Sequence, residues 1–282
     1  MSTLSRSPIE SPSHEPIGLV AIDLDGTLLR TDKRLSRKTV ETIIETTKKG
    51  VHVVLATARP PRSTREIHEL LRLETLSVHY NGALIHDHPS NTHVFHQPLP
   101  SGVAQQLVKV ARRVDPRVIV SLEILDKWYT DHLDERFLTE TSKVFTPDFI
   151  GPLEAFMHVP VTKLQLLGPP DRIAKVRDAL VRKFKGHVSM LMCDPYLIQI
   201  IHPEADKAAA VAMVAEQYKI PRERVLAIGD APNDVGMIRW AGLGAAVANA
   251  WPELRAIADV VLPSNDDEGV RHALKKYVLD RM

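Results

Sequence analysis

Leu-Val-Ala-Ile-Asp-Leu-Asp-Gly-Thr-Leu-Leu-Arg occupies residues 19 to 30. Leu19 to Ile22 is short, apolar and partly β-branched, the composition of a strand buried on both faces as in a parallel sheet. Gly26 permits the turn that follows. Asp23 and Asp25 therefore fall at the carboxyl end of a strand, where the crevice of an open α/β sheet binds its ligands. Asp-Gly alone is an ordinary turn signal, but a turn needs only one of the two aspartates.

Downstream, helix and strand patterns alternate. Ser36 opens a helical stretch with Val40, Ile43 and Ile44 on one face, stopped by Lys48, Lys49 and Gly50. Val51 to Ala56 reads as a second buried strand ending at Thr57-Ala58-Arg59. Pro60 or Pro61 opens a helix with Ile67, Leu70 and Leu71 turned inward, and Leu76 to Tyr80 is a strand closed by Asn81-Gly82-Ala83. Such alternation predicts right-handed parallel crossovers. Past residue 86 the pattern changes to an amphipathic helix over 98–114, strands over 118–124, 128–130 and 161–167, a helix over 171–184, and strands near 188–192 and 197–201. The parallel pattern resumes with a helix capped by Asp206, a strand from Val225 to Ile228 leading to Gly229-Asp230, another helix, and a strand from Gly244 to Ala248. The fold class is thus α/β: a doubly wound parallel core over 16–86 and 193–282, interrupted by an α+β insertion over 87–192. Residues 1–15, rich in Ser, Pro and charge, read as a disordered tail and not a secretory signal.

Composition narrows the function classes. A net charge of +1 leaves no electrostatic footprint for nucleic acid or an anionic membrane. No apolar run reaches the roughly eighteen residues of a membrane span. With Cys193 alone there is no internal disulfide to form, which fits a reducing cytoplasm. The expected partner is a small molecule, with monomer and homodimer both open.

Chemistry-bearing residues gather at the strand ends of the core: Asp23 and Asp25, Thr57, Lys207 at a helix start, and Asp230 with Asn233 and Asp234 on the turn beyond it. Carboxylates are hard ligands suited to Mg²⁺. Phosphoryl transfer asks for a nucleophile, neutralisation of the phosphoryl oxygens and a proton for the leaving group. Asp23 is the candidate nucleophile, forming an aspartyl phosphate. Asp25 is the candidate acid and base, Lys207 and Mg²⁺ offset the charge, and Thr57 donates a hydrogen bond.

Asp-Leu-Asp-Gly-Thr-Leu-Leu at 23–29, Ala-Thr-Ala-Arg at 56–59, Asn-Gly-Ala at 81–83, Lys207 and Gly-Asp-Ala-Pro-Asn-Asp-Val-Gly-Met at 229–237 together resemble the haloacid dehalogenase superfamily, in its Cof-like phosphatase branch. Ala-Asn-Ala at 248–250, Ala258-Asp259 and Ser-Asn-Asp-Asp-Glu-Gly-Val at 264–270 resemble that branch's closing segment. The resemblance spans roughly 17–86 and 195–278. It implies a Rossmann-like core, a large inserted cap of the type IIB (C2) kind, and Mg²⁺-dependent hydrolysis of small phosphorylated metabolites such as sugar phosphates. Carried over, it makes Asp23, Asp25 (through its carbonyl) and Asp230 the metal ligands, and puts Leu24, Thr57, Ala58, Lys207 and Asn233 around the phosphate. Asp234 becomes a group that orients a ligand or Lys207. Two positions depart from the pattern: Ala58 stands where relatives have glycine, and Ala231-Pro232 replaces a more polar pair.

Other readings stay open. A second substrate hydroxyl in place of water would make the protein a phosphomutase or phosphotransferase, and loss of turnover would make it a phospho-ligand-binding protein. His79, His86, His88, His93 and His96 read as surface histidines rather than a transition-metal site, and Asp266-Asp267-Glu268 as the opening turn of the last helix. Trp128, Tyr129 and Phe137 read as core.

Overall fold

A computed structural model describes residues 16–139 and 141–281; the expected tail over 1–15 lies outside the described residues. In chain order the elements are β1 (Leu19–Ile22), α1 (Arg37–Lys48), β2 (His52–Leu55), α2 (Arg65–Leu70), β3 (Ser77–His79), β4 (Leu84–Asp87), β5 (Thr92–His96) and α3 (Ser101–Val114). Next come β6 (Ile119–Ile124), β7 (Lys127–Thr130), β8 (Phe149–Ile150), β9 (Lys163–Leu167), α4 (Pro170–Phe184), β10 (Ser189–Asp194) and β11 (Leu197–Ile201). The chain closes with α5 (Lys207–Gln217), β12 (Val225–Gly229), α6 (Val235–Trp240), β13 (Leu243–Val247), α7 (Pro252–Ile257), β14 (Val260–Leu262) and α8 (Gly269–Tyr277).

Among the described residues, contacts divide the chain into two units, the first made of 16–57, 67–77 and 207–281, the second of 58–66 and 78–206. The first holds a five-stranded parallel sheet in the order β14-β13-β12-β1-β2. All four residues of β1 are fully buried, because the strand lies inside the sheet with β12 on one side and β2 on the other. That environment accounts for its unbroken apolar run. Ser36 caps α1 by accepting from Thr39 N at 3.0 Å, worth about 1 kcal/mol to the helix. The same hydroxyl donates to Glu268 Oε1 at 2.6 Å, and Asp266 accepts from the amide and hydroxyl of Thr31. The acidic run read as a helix opening therefore also ties the chain's last segment to the loop after β1. Leu70, expected to face inward, is 54% exposed, and His68 takes the buried position, donating from Nε2 to Thr75 O at 3.0 Å. A 3₁₀ turn over Pro61–Ser63 precedes α2 and, at three residues per turn, shifts the phase of the buried face.

The second unit carries a six-stranded sheet, β10-β11-β9-β6-β7-β8. Val120, Leu122, Leu164 and Leu166 face a core with Leu107 of α3 and Ile173 and Val176 of α4. The alternate residues Ser121, Glu123, Lys163 and Gln165 are buried as well, so both faces of the central strands are covered. This sheet runs to Ile201, beyond residue 192, because the apolar run of β11 pairs with both β9 and β10 as an inner strand.

The histidines expected on the surface are largely interior. His79, His86 and His88 are at most 6% exposed. His86 stacks edge-on against His88 at 4.7 Å between centroids, and its Nδ1 lies 3.1 Å from His93 Nδ1. Alternation along β4 was legible in the sequence; that both faces of β4 are buried was not. Burial, reinforced by His93 and Arg65, pushes His86 down to about 4, and burial with His93 does the same to His96. Between about pH 6.5 and 4 the unfolded chain binds protons that the folded one refuses, so stability falls as pH falls through that window. His86→Gln should lose roughly 3 °C less in Tm than the wild type between pH 7.5 and 4.5; thermal melts with equal slopes would remove His86 as the cause.

Candidate active site

The candidate residues gather just beyond the carboxyl ends of β1 and β12, whose register sets Ile22 against Ile228. Asp23 N still donates to Ile228 O at 3.0 Å, so the first carboxylate leaves from a fixed point of the sheet. The chain then turns tightly, with Leu29 N donating to Leu24 O at 2.8 Å. Gly26 has φ +83, and a Cβ there would run into the Asp230 carboxylate. Only glycine meets both conditions. Thr27 Oγ1 donates to Asp230 Oδ1 at 2.8 Å, which links the two strand ends directly.

Lys207, the first residue of α5, is 1% exposed. Its Nζ donates to Asp23 Oδ1 at 2.5 Å and to Asp234 Oδ1 at 2.7 Å. Asp234 is fully buried, and its other oxygen accepts from Asp230 N and Ala231 N, each at 3.0 Å. It holds both the lysine and the turn after β12. Carboxylate oxygens of Asp23, Asp230 and Asp234 lie within 4.8 Å of one another, the one such ligand group of three or more among the described residues.

Charge is unbalanced in this cluster. Burial pushes Asp23 well above the usual carboxylate range; Lys207 opposes the shift, while Asp234 and Asp230 add to it. Burial likewise raises Asp230 to about 6, against the hydrogen bond from Thr27 and with the help of Asp234. Burial would lower Lys207, but Asp23 and Asp234 outweigh it and hold the ammonium above its ordinary value. Three hard oxygen donors facing one lysine are fitted to a divalent metal ion, which would supply the missing positive charge.

The other sequence candidates fall as follows. Thr57 is buried directly after β2, with Ala58 beside it; Leu24 is buried in the turn; Asn233 sits on the 3₁₀ turn Pro232–Asp234. Ala58 is not among the positive-φ residues, so glycine's freedom is not needed there. Asp25 stands apart from the carboxylate cluster: its Oδ1 accepts from Lys33 Nζ at 2.8 Å, both side chains being more than a third exposed. Three participants escaped the sequence reading. Thr27 lay inside the quoted string; Asn249 donates to Gly26 O at 2.7 Å and accepts from Asn265 N at 2.9 Å. Both asparagines stand in the closing segments that carried the resemblance.

A family model for haloacid dehalogenase-like hydrolases matches residues 20–274. The chain belongs to that family. This haloacid dehalogenase-like hydrolase is 30% identical over 266 residues to a Bacillus subtilis protein named 5-amino-6-(5-phospho-D-ribitylamino)uracil phosphatase YitU, covering 92% of this chain and 97% of that one. Its fold matches a haloacid dehalogenase-like hydrolase from Bacteroides thetaiotaomicron with a TM-score of 0.83 at 26% identity, over 92% and 99% of the two chains. The structure of the subclass IIB sugar phosphatase BT4131 matches with a TM-score of 0.75 at 18% identity, over 94% and 99% of the two chains, a likeness of fold alone. The hydrolase is thus an enzyme, a phosphatase of the Cof-like branch. No helix among its described residues is long and apolar enough to cross a membrane.

Lys207→Met would leave the carboxylates without their buried cation. In EDTA the variant should lose about 3 kcal/mol of stability or more by chemical denaturation; a midpoint equal to the wild type would mean that the lysine does not hold the cluster together.

Proposed function

We propose that this enzyme hydrolyses small phosphorylated metabolites, sugar phosphates first among them, through an aspartyl phosphate on Asp23. The observation that carries the reading is Lys207 bridging Asp23 and Asp234 with Asp230 alongside, a buried carboxylate cluster at the ends of two parallel strands. Asp23, Asp230 and the carbonyl of Asp25 are the assigned holders of Mg²⁺, which when bound neutralises phosphate charge and polarises the phosphoryl group. Lys207, the Thr57 hydroxyl, Asn233 and the backbone amides at Leu24 and Ala58 are assigned to the phosphate.

An Asp23 carboxylate oxygen attacks phosphorus as the bond to the ester oxygen breaks, and Asp25 gives that oxygen its proton. Asp25 then takes a proton from water as the water oxygen attacks phosphorus. Cleavage of the Asp23–phosphate bond frees inorganic phosphate and restores both carboxyl groups. For Asp25 the role requires its side chain to exchange Lys33 for the leaving oxygen, a rotation open to a half-exposed group. The setting inferred is cytoplasmic.

Purified enzyme with Mg²⁺ should release phosphate from p-nitrophenyl phosphate and from members of a sugar-phosphate panel that includes phosphorylated ribityl compounds. Asp23→Asn should lower kcat by about 10³-fold or more, and hydroxylamine should release label from wild-type enzyme quenched with ³²P-substrate. Turnover by Asp23→Asn at the wild-type rate would refute the nucleophile. EDTA should abolish activity and Mg²⁺ restore it; activity indifferent to both would remove the metal. Added alcohols separate hydrolysis from phosphotransfer, since a transferase would yield a new phosphate ester in place of inorganic phosphate.

A further inference from the structure

A second place able to hold a small molecule lies at the opposite end of the parallel sheet, wholly within the first unit. A cleft of about 460 Å³ opens there among Lys48, His52, Arg72, Glu74 and Tyr218, a volume in the range of small-ligand sites. It forms where α1 and α5 end, where β2 begins and where the chain runs from α2 toward β3. His52 stands level with Leu19, the first residue of β1, whereas Asp23 follows Ile22, the last. About 10 Å of strand, at roughly 3.3 Å per residue, therefore separates this end of the sheet from the carboxylates. A molecule held in the cleft is out of reach of Asp23.

One wall of the cleft is aromatic. The rings of His52 and Tyr218 stack 4.2 Å apart between centroids and 4° from parallel. The Tyr218 hydroxyl accepts from Leu76 N at 2.8 Å, which fixes the ring and gives any ligand a surface already in place. Filling the end of a sheet needs no imidazole, since an apolar side chain would do it. Among the described residues neither ring nitrogen of His52 has a hydrogen-bond partner. Burial lowers the His52 pKa, so at neutral pH the ring offers one N–H donor and one acceptor nitrogen.

Charge narrows the kind of ligand. Lys48 and Arg72 line the cleft without an ion-pair partner among the described residues, and Glu74 is the single acid of the lining. Two cations against one carboxylate suit a monoanion. Ile44 and Val51 add apolar surface. A sugar phosphate has no aromatic face and carries about −1.5 to −2 charges, so it matches this cleft poorly.

We propose that the cleft is a binding site for a small aromatic carboxylate, its ring packed against the His52–Tyr218 wall and its charge set between Lys48 and Arg72. Ring contact and charge-assisted hydrogen bonding each contribute. The site is separate from the catalytic one, and the inference does not depend on the reaction proposed there.

The test is titration calorimetry of the full chain in EDTA with indole-3-acetate and nicotinate. Nicotinamide keeps a ring without the charge, and cyclohexanecarboxylate keeps the charge without an aromatic ring. At least one of the two acids should bind with a Kd of about 1 mM or tighter, and both controls about tenfold more weakly. His52→Ala and Arg72→Glu should each weaken binding about tenfold. Saturation with the acid should shift the His52 ring-proton resonances, assigned by their absence from His52→Ala, and Asp23→Asn should bind as wild type does. Thermal melts establish which variants are folded; should His52→Ala fail to fold, Arg72→Glu, at an exposed side chain, carries the decision. The proposal is overturned if wild type binds neither acid, if the controls bind as tightly as the acids, if folded Arg72→Glu binds like wild type, or if Asp23→Asn loses the ligand.

Discussion

A lysine ammonium buried between two aspartates governs this molecule. Lys207 reaches Asp23 and Asp234 from the first turn of α5, and each partner belongs to a different stretch of chain. Removing such a cation from water is costly and is offset only by close, well-directed carboxylates. The interaction thus forces β1, β12 and α5 into one relation. The parallel register serves that relation by bringing Ile22 level with Ile228. Gly26 and Thr27 serve it by letting the first turn lie against Asp230. Ahead of the lysine, Gly82 adopts φ +99, and a Cβ there would run into the backbone of Asp206.

The same cluster holds more negative charge than its lysine can answer. Asp23 and Asp230 are both pushed upward by burial and by neighbouring carboxylates. A protein selected for stability alone would not gather a third acid there; excess acidity is a feature of sites where function sets the terms. Asp234 shows how the surplus is managed. One oxygen goes to Lys207 and the other to two backbone amides, so its charge is spent on geometry.

How much was legible depended on what each signal measures. Leu19 to Ile22 and Val225 to Gly229 read as parallel strands because unbroken burial leaves an unbroken apolar run, and Asp23, Lys207 and Asp230 could be grouped because strand ends converge. The partner of Asp25 was not legible, since a loop side chain's direction is set by tertiary neighbours such as Lys33. Leu70 was placed inward on a helical period that a 3₁₀ turn interrupts. His79, His86 and His88 were taken for surface residues because polarity argues for water, whereas their burial is set by tertiary packing around β3 and β4. The reach of β11 was missed for a related reason: an apolar strand does not announce which sheet it joins.

Strand β1 has as its neighbour β12, about two hundred positions later, and the turn behind Asp23 is fastened by Asn249, Asn265 and Asp266 near the other end of the sequence. On a ribosome, the Asp23-bearing strand emerges and waits for some two hundred further residues before its sheet partner exists. Contacts so remote in sequence form slowly. The carboxylate cluster consequently assembles late in biogenesis, and a nascent chain that stops short of β12 carries Asp23 without the neighbours that bury it.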